Sequence, residues 1–158
     1  MNSTPLFRNT GFSQKLFYFL FIALVSSSIS FQSCSPARKM SAQDSHTLTA
    51  LESLKIDAIS IMKKGAKSFG SMEPQVIEYK AKMNDQIEYE KAKENNTKTV
   101  QMLEILSNPE GSLLGGFFTR WENEGKLNAP FIKEIAGVVS KNFDKVINLE
   151  KKKKKSKM

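Results

Sequence analysis

Apolar residues recur at three- and four-residue intervals through most of the chain beyond residue 47. Leu48, Leu51, Leu54, Ala58, Ile61, Met62 and Phe69 share one helical face. Ile59 widens that face beyond a coiled-coil seam, so this helix is expected to meet two neighbours. Its start falls between residues 44 and 47, or at Thr49, which has Glu52 at capping-box spacing; Gly70 is the expected end. Ser71 is the expected cap of a second segment that carries Pro74 in its first turn. There Val76, Tyr79, Met83 and Ile87 form a face, residues 88–99 are almost devoid of apolar side chains, and Val100, Leu103 and Leu106 resume one. Glu78–Lys82 and Glu94–Lys98 have the favourable i,i+4 orientation. They predict one long helix, kinked near Asn95-Asn96 and ended by Asn108-Pro109, with a loop at the two asparagines as the alternative.

The stretch "EGSLLGGFFTRWENEG" places Leu113, Leu114, Phe117, Phe118 and Trp121 in a helical cluster. Gly115 and Gly116 weaken such a helix by about 1 kcal/mol each. Two roles fit them: a short core helix with close backbone packing, or a mobile apolar segment that serves as a binding surface or gate. Gly125 ends the segment, and Asn128 with Pro130 starts the last helix. Phe131, Ile132, Ile135, Ala136, Val139, Phe143, Val146 and Ile147 cover one side of it, Lys133, Glu134, Lys141, Asp144 and Lys145 the other, with Asn142 at the edge. No strand alternation or internal repeat is present. The expected fold is all-α, a single bundle of four or five helices over residues 44–150.

Mapping charge changes the picture that composition suggests. The chain of 158 residues has a formal charge of +8, which on its own points to nucleic acid or a membrane surface. All 16 acidic residues, however, lie within the body, against 14 Lys or Arg there. The excess sits at the ends: Arg8, Lys15, Arg38 and Lys39 at one, and the tail "KKKKKSKM", residues 151–158, at the other. A basic groove for nucleic acid is not indicated. Lys151, Lys152, Lys153, Lys154, Lys155 and Lys157 are candidate contacts to an anionic surface, either lipid headgroups or cell-wall polymer.

Residues 16–31, "LFYFLFIALVSSSISF", are too few to span a bilayer, which takes roughly 20 apolar residues. Preceded by Arg8 and Lys15 and followed by small residues, the run has the layout of a secretory signal peptide. Ser33 and then Cys34, the only cysteine, come directly after it. This arrangement resembles the signal of bacterial lipoproteins, although Phe31 and Gln32 stand where that pattern usually has Leu and a small residue. The resemblance implies cleavage before Cys34 and thioether-linked lipid on its sulfur. Residues 1–33 would then be the signal peptide and 34–43 a lipidated tether. The protein would be anchored in the bacterial envelope, facing the periplasm.

Chemistry-bearing motifs are sparse. His46 is the only histidine, and no zinc, haem, EF-hand or phosphate-loop spacing occurs. Glu122 and Glu124 diverge on a helix, and the methionines suit packing rather than metal. No cofactor, metal site or catalytic residue is expected. Binding to an envelope protein partner, in an accessory, adaptor or structural role, is the expected mode of action. An apolar-ligand module gated by residues 113–118 is the alternative.

Overall fold

The computed structural model describes residues 41–153, and they form an all-α bundle of five helices with no strand among them. The elements are α1 (Ser45–Met62), α2 (Phe69–Lys91), α3 (Thr97–Ser107), α4 (Leu114–Glu124) and α5 (Ala129–Lys151). Helix α1 packs on α2 and α5, and α3 also packs on α2 and α5, so these four close a ring. Thr47 at the start of α1 reaches Glu90 near the end of α2, and Thr99 near the start of α3 reaches Glu150 near the end of α5. The ring is therefore antiparallel, and α4 lies across its other end, where α1 and α3 finish.

The core follows the expected stripes. Leu51, Leu54 and Ala58 of α1 meet Val76, Tyr79 and Met83 of α2, Leu103 and Leu106 of α3, and Val139, Phe143 and Val146 of α5, all buried in one cluster. Tyr79 also donates its hydroxyl to the Leu54 carbonyl at 3.2 Å, and burial pushes its pKa up.

Several boundaries differ from expectation for identifiable reasons. The start of α1 agrees with expectation: Asp44 caps it, its carboxylate accepting the His46 amide at 2.9 Å. The helix stops at Met62 rather than near Gly70, because the chain turns at buried Gly65, over which Phe117 and Ile132 close. Phe69 then begins α2, placing Ser71 and Pro74 inside that helix. The expected long second helix is two helices. The chain breaks after Lys91, and Asn95 takes φ +57°, a left-handed conformation that asparagine tolerates better than most residues. Glu78–Lys82 pair at 2.8 Å as expected, whereas the break falls between Glu94 and Lys98. Asn128 caps α5 through the Phe131 amide at 2.9 Å, and Gly125 ends α4 at φ +71°, both as expected.

Helix α4 closes its end of the ring by close approach. A Cβ on Gly115 would lie 2.3 Å from the carbonyl oxygens of Ser107 and Asn108, and one on Gly116 only 1.7 Å from that of Gly111. Any side chain there would push α4 off the turn that precedes it. The approach drives Phe117, Phe118 and Trp121 into the core, with Trp121 fully buried and its Nε1 donating to the Lys67 carbonyl at 3.0 Å. Phe69 meets Trp121 edge-on at 5.6 Å, and Phe131 stacks on Phe117 at 6.0 Å. Two backbone bonds, Phe69 amide to Gly125 carbonyl at 2.8 Å and Leu127 amide to Gly65 carbonyl at 2.9 Å, join the neighbouring loops.

Trp121→Ala is expected to destabilise the protein by roughly 3–5 kcal/mol through the cavity it leaves. Gly116→Ala, which removes nothing, is expected to cost about 1–3 kcal/mol or more through overpacking. Urea unfolding of both variants measures this; unchanged midpoints would mean that α4 is not part of the core.

Candidate functional site: a buried polar cluster where the chain enters and leaves the bundle

The end of the ring opposite α4 is filled by charge instead of hydrocarbon. Each core stripe finishes there in a polar residue at the next inward position: Thr47 before Leu51 on α1, Gln86 and Glu90 after Met83 on α2, Thr99 before Leu103 on α3, and Glu150 after Val146 and Ile147 on α5. All are buried, and Glu90 is completely inaccessible. Burying carboxylates costs several kcal/mol each unless the site supplies partners. Here it does.

Glu90 Oε1 accepts from Thr47 Oγ1 at 2.5 Å, Gln86 Nε2 at 2.7 Å and Lys93 Nζ at 3.0 Å. Its Oε2 accepts from Asn96 Nδ2 at 2.5 Å. Glu150 pairs with Lys153 at 2.5 Å and accepts the Thr99 hydroxyl. Asn96 joins the two halves: its amide nitrogen faces Glu90, while its carbonyl oxygen accepts Lys153 Nζ at 2.5 Å and Ser41 Oγ at 3.1 Å. The same nitrogen bonds the Glu90 backbone carbonyl at 3.0 Å, which also accepts the Lys93 amide at 3.3 Å. Among the described residues, every buried side-chain nitrogen and oxygen has a hydrogen-bond partner.

The cluster extends outward through Lys93, which also binds Asp44 at 2.8 Å and lies 4.2 Å from the Tyr89 ring centroid. The Lys93 hydrogen bond, helped by Tyr89 and the His46 amide and opposed by burial, holds the Asp44 carboxyl well below the usual carboxylate range. Burial works against the Lys93 charge, but its bonds to Asp44 and Glu90 outweigh that and raise its pKa. Each buried carboxylate thus has its own lysine three residues later, and bonds from Thr47, from Thr99 and between Lys153 and Asn96 tie these pairs to the neighbouring helices.

The residues singled out from sequence are distributed differently. Leu114, Phe117, Phe118 and Trp121 are core at the opposite end, with Leu113 half-buried beside them; they do not form an exposed apolar surface. A half-open groove of about 390 Å³ runs past them, lined by Tyr79, Met83, Ile87, Leu114 and Phe118 with Lys80 at its edge. Lys153 is removed from the candidate surface contacts, since it is buried in the cluster. Lys151 ends α5 and reaches Glu52 at 3.2 Å, and Lys152 is its exposed cap. Cys34, Lys154, Lys155 and Lys157 lie outside the described residues.

Glu90, Glu150, Asn96 and Thr99 were not identified from sequence. The available signal was helical phase: the steps 76–79–83–86–90 and 139–143–146–150 continue each apolar stripe into a polar residue.

Removing one partner of the buried pair is expected to cost about 3–5 kcal/mol, so Lys153→Met should be strongly destabilising. Glu150→Gln combined with Lys153→Met should recover much of that loss, and deletion of residues 154–158 should leave the melting temperature unchanged. If Lys153→Met melts like wild type, the cluster does not hold the helices. For Asp44, a folded-state pKa below its ordinary 3.8 adds stability that is present above that value and lost as pH falls through the lower one. The stability gap between wild type and Asp44→Asn should therefore narrow from pH 5 to pH 2, measured by denaturant titration at each pH.

Compared with known protein families, curated proteins and solved structures, the chain matches none.

Proposed function

We propose that the chain is a lipid-anchored protein of the bacterial envelope whose helical body acts by binding, as an accessory, adaptor or structural component. One observation carries the anchoring: Cys34 directly follows Ser33 and the short apolar run 16–31, the place a lipid-modified cysteine takes in a lipoprotein signal. Modification would also account for a solitary cysteine in an exported chain, which otherwise invites intermolecular pairing. The two buried carboxylates are each matched by a lysine and enclosed by helices. That supports a structural rather than a catalytic role for them, and with it a protein that works by contact.

The groove beside Tyr79 and Phe118 favours a second reading, in which the body holds a small apolar ligand. In that case residues 113–118 are a fixed wall, since Gly115 and Gly116 are pressed against the preceding turn. A Phe118→Ala variant that binds an environment-sensitive apolar dye as well as wild type would count against it.

The mature protein is expected to begin at Cys34, to partition into detergent and to incorporate a labelled fatty acid. Cys34→Ser should abolish processing and label together. Recovery of normal, lipid-labelled mature protein from that variant would refute the anchoring. Crosslinking followed by co-purification from native membranes identifies the bound partner.

A further inference from the structure

The seam between α1 and α5 changes character along its length. Toward the polar end two ion pairs bridge it, Glu52 with Lys151 at 3.2 Å and Lys55 with Asp144 at 2.6 Å. One turn further along each helix, at Ile59 and Ser140, the bridging stops and the seam opens into a groove of about 420 Å³. Its α5 wall steps at helical spacing through Ala129, Ile132, Ala136 and Ser140. From the first to the last of these the helix rises about 17 Å, which is three turns. Gly137 stands exposed on the same wall, and a Cβ there would meet nothing within 4 Å. Unlike Gly115 and Gly116, it is not demanded by the packing of the described chain, although glycine inside a helix is less favourable than alanine. What its missing side chain leaves is room for a backbone approaching from outside.

Charge separates the two halves of the seam as clearly as shape does. Among the described residues, Lys63 and Lys133 are the charged members of the lining, one from each side. Both are exposed, and neither lies within ion-pair distance of a described carboxylate. The sequence has no acidic residue from 58 to 72, and Glu134 alone from 125 to 143. Directly after Lys133, Glu134 is about 100° further round the helix. Glu73, Glu122 and Glu124 belong to α2 and α4, which do not line the groove, and Glu124 is held by Arg120 at 2.7 Å. One seam thus matches its lysines with carboxylates at the polar end and leaves them unmatched beside an apolar floor at the other.

We propose that this groove is the docking site for an amphipathic helix of a partner protein, with small and apolar residues along one face and carboxylates on both flanks that meet Lys63 and Lys133. The proposal rests on the reading that the body acts by binding, and it supplies the surface and the kind of partner. A helix laid between two others seats its apolar stripe in the groove they form. Here the small side chains of α5 let it come near the close end of the usual interaxial range of about 8–10 Å. The lysines then fix orientation and partner choice more than affinity. A second copy of this chain is disfavoured as the occupant. Two-fold contact through the same groove would set Lys63 and Lys133 against their own counterparts.

The test places a photo-crosslinking amino acid in the full-length protein at Ala129 or Ser140 in the groove, and at exposed Ile77 or Ile105 on α2 and α3 as controls. Native membranes are irradiated and the crosslinked peptides identified by mass spectrometry. Crosslinks are expected from the groove positions, to one segment of helical periodicity flanked by Asp or Glu. Lys63→Glu combined with Lys133→Glu should lower the yield about tenfold at an unchanged melting temperature, and about 0.5 M salt should lower it too. Gly137→Ala should lower the yield while raising the melting temperature, whereas a glycine needed only for folding would lower both. Crosslinks to lipid, to a second copy or to a segment without carboxylates overturn the proposal, as does a yield indifferent to charge reversal. A partner that co-purifies but crosslinks only at Ile77 or Ile105, or at none of the four positions, refutes the groove alone. The absence of any partner in both experiments refutes the reading that the body acts by binding.

Discussion

Two glutamates buried inside a small helical bundle set the condition that the rest of the structure satisfies. Each taken out of water unpaired would cost more than a small domain of this kind can spare, since total stability is typically only about 5–15 kcal/mol. Lys93 and Lys153 neutralise them from the same helical ends, and Thr47, Thr99, Gln86 and Asn96 supply further hydrogen bonds. These partners come from α1, α2, α3 and the segments that follow α2 and α5. The Thr47–Glu90, Thr99–Glu150 and Lys153–Asn96 bonds form only when the helices they join are in register, so the cluster couples the ring.

The opposite end reaches closure by another route. There Gly115 and Gly116 bring α4 within backbone contact of the preceding turn, and the aromatic side chains fill what remains. An apolar plug tolerates small rearrangements of its packing, whereas a matched set of charges tolerates few, because an unmatched one stays buried. The aromatic end therefore contributes chiefly burial and the polar end chiefly specification. Asn96 lies where the second requirement is greatest: it ends α2, starts α3 and holds both the first and the last described turns of the chain.

Much of the fold was legible because apolar spacing is a strong signal in long helices. The stripes on α1 and α5, the cap at Asn128 and the turn at Gly125 follow from it directly. The segment 88–99 misled because its lack of apolar side chains hides an inward-facing position. Glu90 holds inward phase there, continuing the step from Gln86, but its burial depends on Thr47, Lys93 and Asn96, and the last of these becomes a partner only once the helix has broken. Lys153 misled for a related reason. Within "KKKKK" nothing local distinguishes it from its neighbours; its three-residue offset from an inward-facing Glu150 does. Gly115 and Gly116 read as weak helix positions, and only the tertiary approach to residues 107–111 gives their lack of a side chain its purpose.

Chain entry and exit at one end also constrain where a partner can act. Among the described residues, Ser41 and Lys153 meet at the polar end, and the flanks and the aromatic end are clear of both. Ile56, Ile77 and Ile105 are exposed on three different helices, and isolated exposed apolar residues are ordinary on a protein surface. The apolar groove between α1 and α5 is different in kind. Ile59, Ala66, Ala129, Ile132 and Ala136 line it, with Lys63 and Lys133 along its sides. It lies toward the aromatic end, away from the point where the described chain enters and leaves. The body therefore keeps its apolar relief and its buried charge apart, toward opposite ends of one ring of helices.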